Sequence, residues 1–159
     1  MKKSIALFAL LSILSFNAHA DFSGHVIGVL DGDTVEVLVD KNPVRVRLEQ
    51  IDAPERRRAF GTRSRQALSA YVFDRQITVL EGGKDRYGRV LGTLMLDGRD
   101  INRAMIADGM AWAYRSYLRD PSLLTVEAQA RASRTGLWAD ADPVAPWEFR
   151  KRKRNGAGN

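Results

Sequence analysis

From His25 onward the chain alternates apolar and polar residues with a period of two, the spacing that gives a strand one buried face. Five segments read this way: His25–Leu30, Thr34–Val39, Val44–Ile51, Gln76–Leu80 and Val90–Leu96, all rich in Val, Ile and Leu. Turn residues separate them, with Asp31 and Gly32 between the first two, "DKNP" from Asp40, "EGGKDRYG" from Glu81 and "DG" at Asp97. The period then lengthens to that of a helix. Over Thr62–Phe73, Leu68, Tyr71 and Val72 fall at i, i+3 and i+4. Ile101–Asp108 follows Asp100, an N-cap residue type, and stops at Gly109, which suits a left-handed C-terminus. A third helix opens at Asp120-Pro121, with proline in the first helical position, and ends near Gly136.

Three strands, a helix, two strands and two helices predict an α+β fold, a five-stranded OB-type Greek-key β-barrel with about three helices. Several charged positions do not fit a plain barrel. Asp33 shares its phase with Val35, Val37 and Val39, so a regular strand turns its carboxylate toward the core. That costs several kcal/mol unless the group is paired or bound to a cation. Asp31 stays open, either a solvated turn acid or one that reaches a metal through water. An EF-hand is excluded, because Val35 and Glu36 stand where that loop needs an Asp or Asn and a Gly. In the third strand Arg45, Arg47 and Glu49 alternate with Val44, Val46 and Leu48, and Arg45 and Glu49 read as solvated strand charges. At its end "IDAPE" sets Asp52 and Glu55 about Pro54, which biases Ala53 toward an extended backbone. "DRYGR", Asp85 to Arg89, is a charged loop around Gly88, the residue type that allows a sharp turn.

Composition narrows the chemistry. The chain has 159 residues, no cysteine and two histidines. Residues 1–20 read as a secretory signal peptide: Lys2 and Lys3, the apolar run "SIALFALLSILSF", then "AHA" as a cleavage site. The run is shorter than the ~20 residues of a membrane span, so no stable membrane association is expected after cleavage. Export to the periplasm or the medium follows. Beyond the signal only His25 remains, which argues against Cys/His and Ser/His/Asp nucleophiles and against thiolate zinc sites. The formal charge is +6, but five basic residues lie together in Arg150–Arg154 and the rest of the mature chain is close to neutral. Residues 21–149 therefore form one domain, and residues 150–159 are expected to be a disordered basic tail that touches polyanions without specificity.

Taken together, "DGDTV", "R-L-x-x-I-D-A-P-E" and "D-R-Y-G-R", in this order, resemble the staphylococcal nuclease (thermonuclease) family from about Val26 to Trp138. The resemblance implies a small OB barrel that binds one Ca2+ and hydrolyses phosphodiester bonds of DNA and RNA, leaving 3′-phosphate ends. It implies Asp33 and Asp52 as carboxylate ligands of calcium and Ala53 as a backbone-carbonyl ligand, where the best-known member has threonine. It places Glu55 as general base and Arg47 and Arg89 on the scissile phosphate. Tyr87 falls at a nucleotide-contacting position. A further such tyrosine aligns with Arg115, so Tyr114 or Tyr117 fills that role after a small shift, unless both pack between helix and barrel. The loop after Glu55 is shorter than in the best-known member, and Arg56, Arg57, Arg58, Arg63 and Arg65 cluster there, able to steer polyanions. A monomeric, calcium-dependent endonuclease is the expectation, and the alternative is a non-catalytic nucleic-acid-binding OB module.

Overall fold

The computed structural model describes residues 20–156, so the signal-peptide reading of residues 1–20 lies outside the described residues apart from Ala20. The alternating segments form β1 (Phe22–Asp31), β2 (Thr34–Val39), β3 (Asn42–Leu48), β5 (Gln76–Lys84) and β6 (Val90–Leu96). They run in the order β3-β2-β1-β5-β6, and parallel pairing of β3 with β6 (Val46 opposite Val90) closes the ring. The five-stranded OB-type barrel is thus present. Its interior holds the apolar phase of each strand: Val26, Val35, Val37, Val46, Leu48, Val79 and Leu94 are fully buried.

Two features near the barrel mouth differ from the sequence reading. The third strand does not run on to Ile51. It ends at Leu48, the chain reverses at Gln50 (φ 62°), and a separate β4 (Ile51–Asp52) pairs with β8 (Trp112–Ala113). The Gln50 amide explains the break, because its Oε1 accepts from the N–H groups of Arg119 and Asp120, each at 2.7 Å. The Gln50 carbonyl accepts from the Tyr114 N–H. The hairpin glycine is the second. Gly32 does not adopt a left-handed φ, so its role is not turn conformation. A Cβ there would lie 1.9 Å from Ser64 Oγ and 2.9 Å from Ala53 Cβ. Gly32 lets the β1–β2 turn press against the next helix and the "IDAPE" segment.

Around the barrel lie α1 (Gly61–Val72), α2 (Ile101–Ala107), which follows the short β7 (Arg99–Asp100), and α3 (Ser122–Ala132). Asp100 caps α2 through the Arg103 N–H at 2.9 Å, and Gly109 is left-handed (φ 62°), both as predicted. The third helix stops short of Gly136, because Arg134 and Gly136 both take left-handed φ values and turn the chain away. A fourth helix, α4 (Pro146–Gly156), occupies most of the segment expected to be disordered. That expectation fails for residues 150–156. Proline opens the helix, Glu148 lies in its first turn and Lys153 and Arg154 in its last, each favourable to the helix dipole. Among the described residues no helix is long and apolar enough to cross a membrane.

Candidate active site

The Gln50 reversal is what assembles the site. It carries Asp52 back to the β1–β2 turn, where the Ala53 N–H donates to Asp33 Oδ2 at 2.9 Å. Asp33 is held at its other oxygen by the Thr34 hydroxyl (3.1 Å), and its own carbonyl accepts from the Leu48 N–H. It is buried, as expected, but from the turn before β2 rather than from a regular strand position. Asp52 is more enclosed still, with its side chain 1% exposed.

Arg47 joins the two carboxylates. It stands on β3 opposite Thr34, and its Nη2 lies 3.2 Å from Asp33 Oδ2 and 3.0 Å from Asp52 Oδ1. Its Nη1 donates to the carbonyls of Leu48 (2.7 Å) and Ile51 (3.1 Å), on either side of the reversal. Two buried carboxylates therefore converge within reach of one cationic group. Burial raises the Asp52 pKa above its ordinary value, against the lowering effect of the bond from Arg150 and the charge of Arg47. Asp31 is also raised, first by burial and then by the negative charge of Asp33. Asp31 is thus a partly shielded acid beside the site rather than a freely solvated one.

Glu55 lies at the rim, its side chain 48% exposed, with Arg150 Nη1 at 3.9 Å from Oε1. Of the arginine cluster, Arg56, Arg57, Arg58 and Arg63 are exposed, whereas Arg65 turns inward toward the Val29 carbonyl at 3.4 Å. Arg89 precedes β6, one strand across from Arg47, and its partner is Asp85. Nε and Nη2 both lie 2.7 Å from Asp85 Oδ2. Asp85 Oδ1 accepts the backbone N–H groups of Tyr87 and Arg89 at 2.8 and 3.0 Å. The "DRYGR" loop is thus folded around its first residue, which the sequence reading left without a role. Its signal was an aspartate with an arginine four residues on and a glycine between.

Tyr87 and Tyr117 are both largely exposed. The exposure of Tyr117 means that Tyr114 and Tyr117 do not both pack between helix and barrel. Tyr114 stacks on Trp147 of α4, with ring centres 5.4 Å apart and 5° between planes, and meets Tyr117 edge-on at 4.8 Å. Arg115, the residue that aligns with the family's tyrosine, pairs with α3. Its guanidinium is pinned 2.6 Å from Glu127, a fully enclosed carboxylate on α3. Glu49, expected to be solvated, is also largely enclosed and bonds to Arg119 and the Thr93 hydroxyl. Arg45 pairs at the surface with Glu36 at 2.8 Å. His25 is a surface side chain of β1 paired with Asp74 at 2.7 Å.

The donor set suits a hard cation. The groups that converge are carboxylate oxygens, without thiolate or imidazole, the donor type that hard divalent cations take. Among the described residues no cluster of three or more acidic or histidine side chains forms a protein-only cage.

Residues 45–140 match the family model described as staphylococcal nuclease homologue. Protein ParB of Escherichia coli is 48% identical over 166 residues, which cover 98% of this chain and 93% of that protein. A micrococcal nuclease of Shigella flexneri is 44% identical over 158 residues, covering 92% and 91%. An uncharacterized endonuclease of Escherichia coli is 44% identical over 135 residues, covering 84% and 88%.

Proposed function

The chain belongs to the staphylococcal nuclease family, and from that membership we propose an exported, monomeric, calcium-dependent endonuclease that hydrolyses phosphodiester bonds of DNA and RNA. The observation that carries the reading is the meeting of Asp33 and Asp52 within reach of Arg47, with Glu55 on the open side. Nuclease activity has the support of the relatives named above. Export, the identity of the ion and the individual residue roles are the proposal.

Asp33, Asp52 and the Ala53 main-chain carbonyl would hold the ion. When bound, calcium supplies the positive charge that neutralises a phosphate oxygen and orients a water. Glu55 is exposed enough to meet that water and to accept its proton as the water attacks phosphorus, an effect worth ~10² to 10⁴ in rate. Negative charge grows on the phosphate oxygens as the bond to the leaving oxygen breaks. Arg89 and Arg47 would place guanidinium N–H groups on those oxygens, Arg47 by turning Nη2 away from the carboxylates of Asp33 and Asp52 that hold it, and one such arginine is worth ~10³ to 10⁵ in phosphoryl transfer. Asp85 fixes the direction of the Arg89 fork. Tyr87, with Tyr114 and Tyr117, offers rings against which a base or sugar packs.

Purified protein incubated with DNA and with RNA, in calcium or in excess chelator, tests the reading. Both polymers are cut in calcium and neither in chelator. Intact polymers in calcium would leave a non-catalytic nucleic-acid-binding module, and cleavage indifferent to chelator would remove the metal assignment.

A further inference from the structure

Asp52 takes one of its two cationic partners from a part of the chain beyond the family match, which ends at residue 140. Arg150, on α4, lays a two-pronged guanidinium on this carboxylate, 2.6 Å to Oδ2 and 3.4 Å to Oδ1. The same group lies 3.9 Å from Glu55. One turn earlier Trp147 covers the ring of Tyr114. In the same turn the ring of Phe149 takes the Arg58 guanidinium at 3.5 Å. A single helix thus reaches three residues with proposed roles in catalysis or binding.

That helix is lightly seated. Of its eleven residues only Pro146 is buried. Between it and the loop after Glu55 lies a cavity of about 140 Å³, lined by Glu55, Arg58, Phe60, Pro146 and Phe149 among others. Past Arg150 come Lys151, Arg152, Lys153 and Arg154, all exposed and without acidic partners among the described residues. Neighbouring like charges weaken a helix, and of these five basic residues Arg150 is the one in contact with a buried carboxylate among the described residues.

We propose that Arg150 is a built-in competitor for the cation at Asp52, so that cation binding lifts Arg150 and α4 off the site. The inference rests on Asp52 being a ligand. Arg150 engages both oxygens of Asp52, and Arg47 engages Oδ1 as well. A divalent ion needs those same lone pairs and repels a guanidinium held beside it. The affinity for the ion is then lowered by the fraction of molecules in which Arg150 is docked. Docking in nine molecules of ten weakens binding about tenfold.

Calcium titrated calorimetrically into wild type and Arg150→Gln, without nucleic acid, reads this directly. The variant binds about tenfold more tightly. Amides of residues 146–156 in the wild type exchange faster with solvent once calcium saturates. Arg154→Gln removes the same charge at the exposed end of the helix and changes the affinity by less than about twofold, since exposed charges are screened. Equal tightening in both variants would reduce the effect to net charge and overturn the competitor. Unchanged or weaker binding by Arg150→Gln overturns it too, as does α4 exchange indifferent to calcium. Binding abolished by Asp52→Asn yet indifferent to Arg150→Gln removes the competitor and leaves the metal assignment standing. Absence of calcium binding by every protein removes both.

Discussion

Arg47 meets four oxygens at once, hydrogen-bonding the carbonyls of Leu48 and Ile51 and the Asp52 carboxylate and ion-pairing with Asp33. From the sequence it was one of three charges on the polar phase of a strand, and only the resemblance singled it out. Its contacts show why a strand residue serves the site, since it braces the reversal that delivers Asp52. Asp85 does the same for Arg89. Burial works to raise the Asp85 pKa, but bonds from the Arg89 side chain and from the N–H groups of Arg89 and Tyr87 outweigh it and lower the pKa. A carboxylate with a lowered folded-state pKa stabilises the protein above its ordinary value of 3.8 and loses that contribution as pH falls through the folded value. Asp85→Asn is therefore less stable than wild type near neutral pH. In thermal melts the gap between the two closes below about pH 4. The same variant frees the Arg89 fork, and cleavage falls by ~10² if orientation is what Asp85 supplies. A gap that persists at pH 2 would show that Asp85 acts by packing rather than by charge.

The elements of the barrel were legible because each strand has one apolar phase and each turn its own residue types. The burial of Asp33 was anticipated from the phase of the valines, although the residue itself lies in the turn before β2. Periodicity carried a faint sign of the Gln50 reversal, since Glu49 and Gln50 are consecutive polar residues and put Ile51 out of phase with Val44, Val46 and Leu48, but its cause, an amide bonded to residues about 70 positions away, is not local. Gly32 was legible as a turn residue, but its function is space, set by the approach of α1. Gly32→Ala drives a methyl group into Ser64, whose hydroxyl holds the Met110 carbonyl at 2.7 Å. Such overpacking costs about 1–3 kcal/mol. Denaturant unfolding measures the loss, and wild-type stability in this variant would mean that the β1–β2 turn is not fixed against α1.

At the scale of the whole molecule, two charge distributions meet at the barrel mouth. Acidic groups are enclosed there, and basic ones surround them: Arg56, Arg57 and Arg58 on the loop, and Arg150 through Arg154 on α4. The net charge of +6 gave no hint of this arrangement until its residues were placed. Arg150 looked like the start of a solvated run, since nothing in its neighbours marks it as the one basic side chain of the five that reaches Asp52. The rim of positive charge suits a polyanionic substrate, and the enclosed acids suit the cation that chemistry on that substrate requires. The second fit, a cation held at Asp52, is the central claim. Cleavage rate of a defined oligonucleotide as a function of calcium concentration, for wild type and Asp52→Asn, tests it most directly. Wild-type cleavage rises with calcium to a plateau, while Asp52→Asn, retaining a folded barrel by circular dichroism, stays at least ~10²-fold below it. An Asp52→Asn curve that follows the wild type would contradict the claim that Asp33 and Asp52 together hold the catalytic ion.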